Sequence, residues 1–236
     1  IGYTRALNAV SNPDEFDINL LVTPGVIHEY HSSVSKHGIS KVEQRADAFY
    51  IMDGSRWGRS VSNAVSDING VDTNYAAVYY PWVKILDSVK NKPMWVPPSV
   101  VLPGVISFTD SVAHEWFAPA GLNRGGLGSV LEAKTRLTHT ERDELYEGRV
   151  NPIASFPGQG VVVFGQKTLQ GKPSALDRIN VRRLLIRLRK FIASSSRFLV
   201  FEQNTAATRN RFLGIVNPFL ESVQANSGLS AFKVVM

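Results

Sequence analysis

The stretch "ADAFYIMDG", residues 46–54, reads as a β-strand of large apolar side chains closed by an Asp-Gly turn. Its neighbours decide what kind of sheet it joins. Before it, "DINLLVTPGV" (17–26) reads as a strand ending in a Pro-Gly turn, and residues 34–46 read as a helix. After it, "RSVSNAVSDI" (59–68) repeats apolar residues at helical spacing through Val61, Ala64, Val65 and Ile68. "YAAVYYPWVKIL" (75–86) then reads as a third strand, bent at Pro81. Strands alternating with helices imply an α/β fold with a parallel layer.

Further along, "VPPSVVLPGVISFTDSVAHEW" (96–116) reads as a helix entered through Pro97 and Pro98, with Pro103 expected to kink or break it. "GLNRGGLGS" (121–129) has the composition of a flexible loop. Thr138-x-x-Glu141 resembles a capping box, and a domain boundary is expected there, dividing the chain into 1–137 and 138–236. In the second part "GVVVFG" (160–165) and "RFLVFE" (197–202) read as strands apolar on both faces. Ser174-x-x-Asp177 signals the start of a basic helix. Asn204 or Thr205 caps a helix to about Gln224 with a kink at Asn217-Pro218, and "FKVVM" begins a last strand.

The chain of 236 residues is 44% apolar and 19% charged, which fits a folded protein rather than a disordered one. Its net charge of +6 is concentrated in one place. Residues 178–197 hold seven basic residues and no acid; taking those seven from 26 leaves 19 basic against 20 acidic residues. On a helical projection Val181, Leu184, Leu185, Leu188, Phe191 and Ile192 share one stripe, read as the core face. The arginines fill the other side, where Ile179 and Ile186 also project. That side is either a solvated cationic face or a docking patch, two apolar anchors ringed by arginine. Isoleucines suit base readout poorly, and the apolar stripe is expected to be committed to the fold rather than to a membrane. An acidic protein surface is the partner that fits best.

Catalytic signatures are sparse. The sequence has no cysteine and hence no thiolate chemistry. His28, His31 and His37 cluster, but no second ligand pair follows at zinc spacing. Asp53-Gly54-Ser55 and His37-Gly38 lack a nucleophile elbow of the G-x-S-x-G kind. Gly158-x-Gly160 runs into a strand rather than a helix, so it offers no helix-capped phosphate site. No cofactor, metal site or enzymatic activity is expected.

Several stretches, in order, resemble the tail sheath proteins of contractile-tailed bacteriophages: "AAVYYPWVKI" (76–85), "VPPSVVLPGVISFTD" (96–110), "EWFAPAG" (115–121), "RVNPIASFPGQGVVVFGQKTL" (149–169), "SALDRINVRRLL" (174–185) and "FEQNTAATRNRFLGIVNPFL" (201–220). The resemblance departs at Val100, Pro103 and Phe108, where the family more often has glycine or small or basic residues. It implies a subtilisin-like α/β domain without protease activity, then a smaller two-layer α+β C-terminal domain. It also implies a structural subunit of the virion tail, assembled in the bacterial host cytoplasm. Such subunits form stacked hexameric rings around a tail tube and contract on a baseplate trigger, driving the tube through the host envelope. The implied partners are other sheath subunits, the tube protein and the baseplate, with no small-molecule substrate, membrane insertion or direct nucleic-acid contact. Both chain ends are expected to be cut, and the fragment to be monomeric. Phe232, Lys233, Val234, Val235 and Met236 are expected to form a strand-exchange edge. Ile179, Arg182, Arg183, Ile186, Arg187, Arg189 and Lys190 are expected to face acidic groups on the tube or a neighbouring subunit. A tailocin or type VI secretion sheath, and from another class a basic nucleic-acid-binding module, are the alternatives.

Overall fold

A computed structural model describes residues 2–235. In chain order the elements are α1 (Gly2–Ala9), β1 (Leu20–Ile27), α2 (His28–Arg45), β2 (Phe49–Asp53), α3 (Val61–Asp67), β3 (Ala76–Tyr80), β4 (Val83–Asp87) and β5 (Lys92–Val96). After these come α4 (Leu102–Val112), β6 (Val130–Ala133), α5 (His139–Glu147), β7 (Val150–Phe156), β8 (Gly160–Val163), α6 (Ile179–Ser196) and α7 (Ala206–Ala225). The chain divides into two compact units at Arg183/Leu184.

The first unit is built on a five-stranded sheet of order β1-β2-β3-β7-β8. The first four strands run parallel and β8 is antiparallel to β7. Every residue of β2 and of β3 is buried, as central strands covered on both faces must be. On one face Tyr50, Met52, Val78 and Tyr80 pack with Ile39 and Val42 of α2, Ala64 of α3 and Leu145 of α5. A buried amide ties β3 and β7 to the segment beyond β8. Asn151 Nδ2 donates to the carbonyls of Val78 and Lys167, and its Oδ1 accepts from Lys167 N–H.

The mixed α/β class and the parallel layer read from the sequence are present. Several boundaries differ. The stretch 75–86 is not one bent strand: β3 belongs to the large sheet and β4 to a separate three-stranded antiparallel sheet of order β5-β4-β6. The chain changes sheets at Pro81, which has no N–H to continue a ladder. Pro103 does not break the helix in which it sits. It lies in the first turn of α4, where no intrahelical donor is required, after a short 3₁₀ turn at Pro98–Val100. The expected boundary at 137/138 is corrected outright, because β7 and β8 lie beyond it and complete the same sheet as β3. The capping box there is real: Thr138 Oγ1 accepts from Glu141 N–H and Glu141 accepts from Thr138 N–H. It opens α5, a helix that covers this sheet, and a cap marks a helix start without marking a domain.

Residues 121–129 are not loose. Gly121 N–H donates to Val163 O, Leu127 N–H to Val161 O and Val163 N–H to Gly125 O. The loop is thereby laced along the outer edge of β8.

The second unit is helical among the described residues, in place of the expected α+β layer. α7 is capped by Thr205, whose side chain accepts from Thr208 N–H, and continues through Pro218. It buries Val216, Leu220 and Val223 along one face. Phe191 of α6 stacks on Phe219 at 3.7 Å. "RFLVFE" is not a strand: Arg197–Leu199 form a 3₁₀ turn, and Phe201 adopts a left-handed φ of 72°. A strand needs a partner ladder, and none is present beside it among the described residues. Residues 231–235 are likewise unpaired. Met236, included in the expected strand-exchange edge, lies outside the described residues.

Candidate interaction surfaces

The start of the basic helix is held by the segment after β8. Thr168 N–H donates to Asp177 O and Ile179 N–H to Gln166 O. Ser174 caps a short 3₁₀ turn at Ala175–Asp177 rather than α6 itself. Arg178 Nη1 donates to Tyr146 OH, and Asn180 Nδ2 to Trp116 O. The first turn of α6 is therefore fixed in orientation by bonds to residues from α5 onward and from the loop after α4.

This anchoring turns inward the face that the sequence had assigned to solvent. Ile179 is fully buried, Arg182 is 8% and Arg183 4% exposed, and Ile186 is 5% exposed. These four recur at helical spacing within about 100° of one another. The expectation that they form an exposed docking patch is corrected. The arginines go inside because their stems are apolar and the terminal nitrogens of their guanidinium groups find partners. Arg183 forms a two-pronged pair with Asp110, Nη1 to Oδ1 at 2.8 Å and Nη2 to Oδ2 at 2.5 Å, and also donates to Glu115 O. Arg182 stacks 4.1 Å over the Tyr75 ring and donates to Asn74 Oδ1 and Tyr75 OH. Burial pulls its pKa down, and the nearby Tyr75 pushes the other way. The stripe assigned to the core is only partly covered, with Leu185 39% exposed. Arg187 and Arg189 do face outward, and Lys190 is half-buried.

Beyond this geometry, residues 1–169 match the phage tail sheath protein central domain. The chain belongs to the tail sheath family. It is 32% identical to the tail sheath protein of Vibrio phage KVP40 over 97% of this chain, and 30% identical to that of Enterobacteria phage T4 over 98%. In both cases it spans 38% of the relative's length. Among solved structures it is similar to the sheath complex of the extracellular contractile injection system PVC in its contracted state, with a TM-score of 0.79 and 28% identity over 97% of this chain and 62% of that one. A chain of the anti-feeding prophage baseplate gives a TM-score of 0.78 at 28% identity, over 96% and 59% of the two chains.

In this sheath-family chain the polar groups that invited a catalytic reading are engaged internally. His28 Nδ1 is 2.7 Å from Ser35 Oγ, and His37 Nε2 is 2.8 Å from Asn8 Oδ1. Burial pushes the Asp53 carboxyl up to about 6, against the lowering effect of Ser99, whose N–H and Oγ–H both donate to it. No helix among the described residues is long and apolar enough to cross a membrane.

Two exposed clusters escaped the sequence reading. Phe198, Val200 and Phe201 are 79%, 58% and 103% exposed between α6 and α7. Their β-like pattern pointed to burial and hid them. Trp57, Trp95 and Lys134 meet on the three-stranded sheet. They come from three separated segments, so no local pattern could have joined them.

Proposed function

We propose that this chain is the central part of a structural, non-catalytic subunit of a contractile tail sheath. The observation that carries this is the match of residues 1–169 to the family's central domain, supported by the likeness to a contracted sheath complex over 97% of the chain. On this reading the subunits polymerise as stacked six-membered rings around a tail tube. The sheath contracts when a baseplate triggers it and drives the tube through a host envelope, with assembly in the host cytoplasm. The first unit is subtilisin-like on this reading, without protease activity, and its buried, internally bonded Asp53 and His28 serve the fold. The likeness to injection-system sheaths keeps a non-phage contractile device as the second reading.

Arg187, Arg189 and Lys190 are the part of the basic helix that we assign to an acidic surface of the tube or a neighbouring subunit. Arg187 and Arg189 are exposed and carry the charge outward. Residues 232–235 are assigned to strand exchange, their alternating exposure matching a strand that lacks its ladder. A rim ion pair is worth about 0.2–1 kcal/mol, so such contacts hold an extended state by repetition and release together.

The test is negative-stain electron microscopy of the chain extended to the length of its relatives, beside the present chain. Tubes or stacked rings from the extended chain support the reading, and their loss in the Arg187→Glu/Arg189→Glu variant supports the basic contact. Dispersed particles from the extended chain refute self-assembly. Normal tubes from the double variant refute the role of α6.

A further inference from the structure

The three-stranded sheet carries a cluster that the sheath reading does not use. β4 pairs Lys84 opposite Trp95 of β5 and opposite Glu132 of β6. These three side chains therefore stand on one face, which Leu86, two residues along β4, shares. Trp57, from the loop after β2, lies edge-on to Trp95 with ring centroids 6.5 Å apart. Lys134 places its Nζ 4.4 Å from the Trp57 ring and 5.6 Å from the Trp95 ring, while Lys84 Nζ lies 5.2 Å from Trp95. Trp57 is 48% and Leu86 48% exposed. A large aromatic ring left half in water beside exposed aliphatic surface is characteristic of an interaction site.

The charge on this face is unbalanced. Lys84 Nζ is 2.8 Å from Glu132 Oε1, and its hydrogen bond holds the Glu132 carboxyl below its ordinary range, with Arg136 and Lys134 adding to the effect. Three cations thus share one carboxylate. Lys134 has no ion pair among the described residues. We propose that the outer face of the three-stranded sheet docks an acidic segment of another protein, with Trp57 and Trp95 as apolar anchors and Lys134 as the charge that the partner's carboxylate meets. Nucleic acid suits the site less well. Successive bases stack on parallel, open ring faces, whereas these rings meet at 61° and lysine ammonium groups lie over them. The proposal does not depend on the sheath reading.

The test uses the present chain and its tryptophan fluorescence, with a synthetic peptide alternating glutamate and leucine as probe. A lysine-leucine peptide and a single-stranded oligothymidylate are the comparators. The expected result is a saturable change with the acidic peptide alone, weakened about tenfold or more by Lys134→Glu and also weakened by Trp57→Ala. Lys134→Met, which keeps the apolar stem, weakens binding to a lesser degree and guards against a folding defect. Lys172→Glu, an equal change of charge at an exposed loop residue, leaves binding in place. The proposal is overturned if the acidic peptide gives no saturable change, or if the oligonucleotide binds more tightly. It is equally overturned if binding is lost in Arg189→Glu and kept in Lys134→Glu.

Discussion

Replacing Arg183 by methionine separates a structural arginine from a docking one. Arg183 has a side chain 5% exposed and pairs through both nitrogens with Asp110, whose side chain is 30% exposed. Removing one partner of a buried pair costs about 3–5 kcal/mol, because the other charge is stranded. Asp110 is not fully enclosed, so water can solvate it again and the cost falls to about 2–3 kcal/mol. Methionine keeps most of the stem volume, so little of this is a cavity effect. For a chain of this size each kcal/mol moves the melting midpoint by about 2–4 °C, which predicts a drop of about 4–12 °C. Urea melts of Arg183→Met, Asp110→Asn and the double variant would give the coupling directly. Arg189→Met, at an exposed position on the same helix, should change stability by less than about 0.5 kcal/mol. If Arg183→Met were as stable as Arg189→Met, the assignment of Arg183 to the interior would be wrong, and the sequence's solvent-facing reading would be restored.

Asp53→Asn should stabilise the chain near pH 7.5 by about 1–3 kcal/mol. The folded-state pKa of about 6 lies above the ordinary 3.8. Ionisation therefore costs stability above about pH 6, and the advantage of asparagine should fade as the pH drops toward 4; a gain that grows on acidification would contradict this. Gly125→Ala should destabilise by about 1–3 kcal/mol. A Cβ there would stand 2.6 Å from Val163 O and 2.8 Å from Gly121 N and O, and proteolysis should accelerate within 121–129; an unchanged melt would show that the lacing is dispensable.

β2 and β8 were legible because a strand buried on both faces is apolar throughout, and "AFYIM" in the middle of the sheet and "GVVV" at its laced edge need no context to be read so. α5 was legible from Thr138 and Glu141, since a capping box is a local device. The interior of α6 was not. A helical projection ranks residues by hydropathy, and it places Arg182 and Arg183 outside because their partners, Asn74, Tyr75 and Asp110, are distant in sequence. "RFLVFE" failed for the complementary reason. β-propensity describes what a segment does beside a partner strand, and among the described residues that segment has none. The basic surface was legible in total charge but not in membership: of its five cations, Arg187, Arg189 and Lys190 remain candidates for an outside partner.

By bonding along β8, the glycine loop 121–129 occupies that strand's outer hydrogen-bonding row within the chain. Among the described residues β1 has a strand on one side only. A strand arriving from elsewhere would find one margin of the large sheet stoppered, and the other without a neighbouring strand among the described residues. Were a strand added beside β1, the sheet would lengthen in a single direction, and a chain of subunits joined in that way would have a head and a tail.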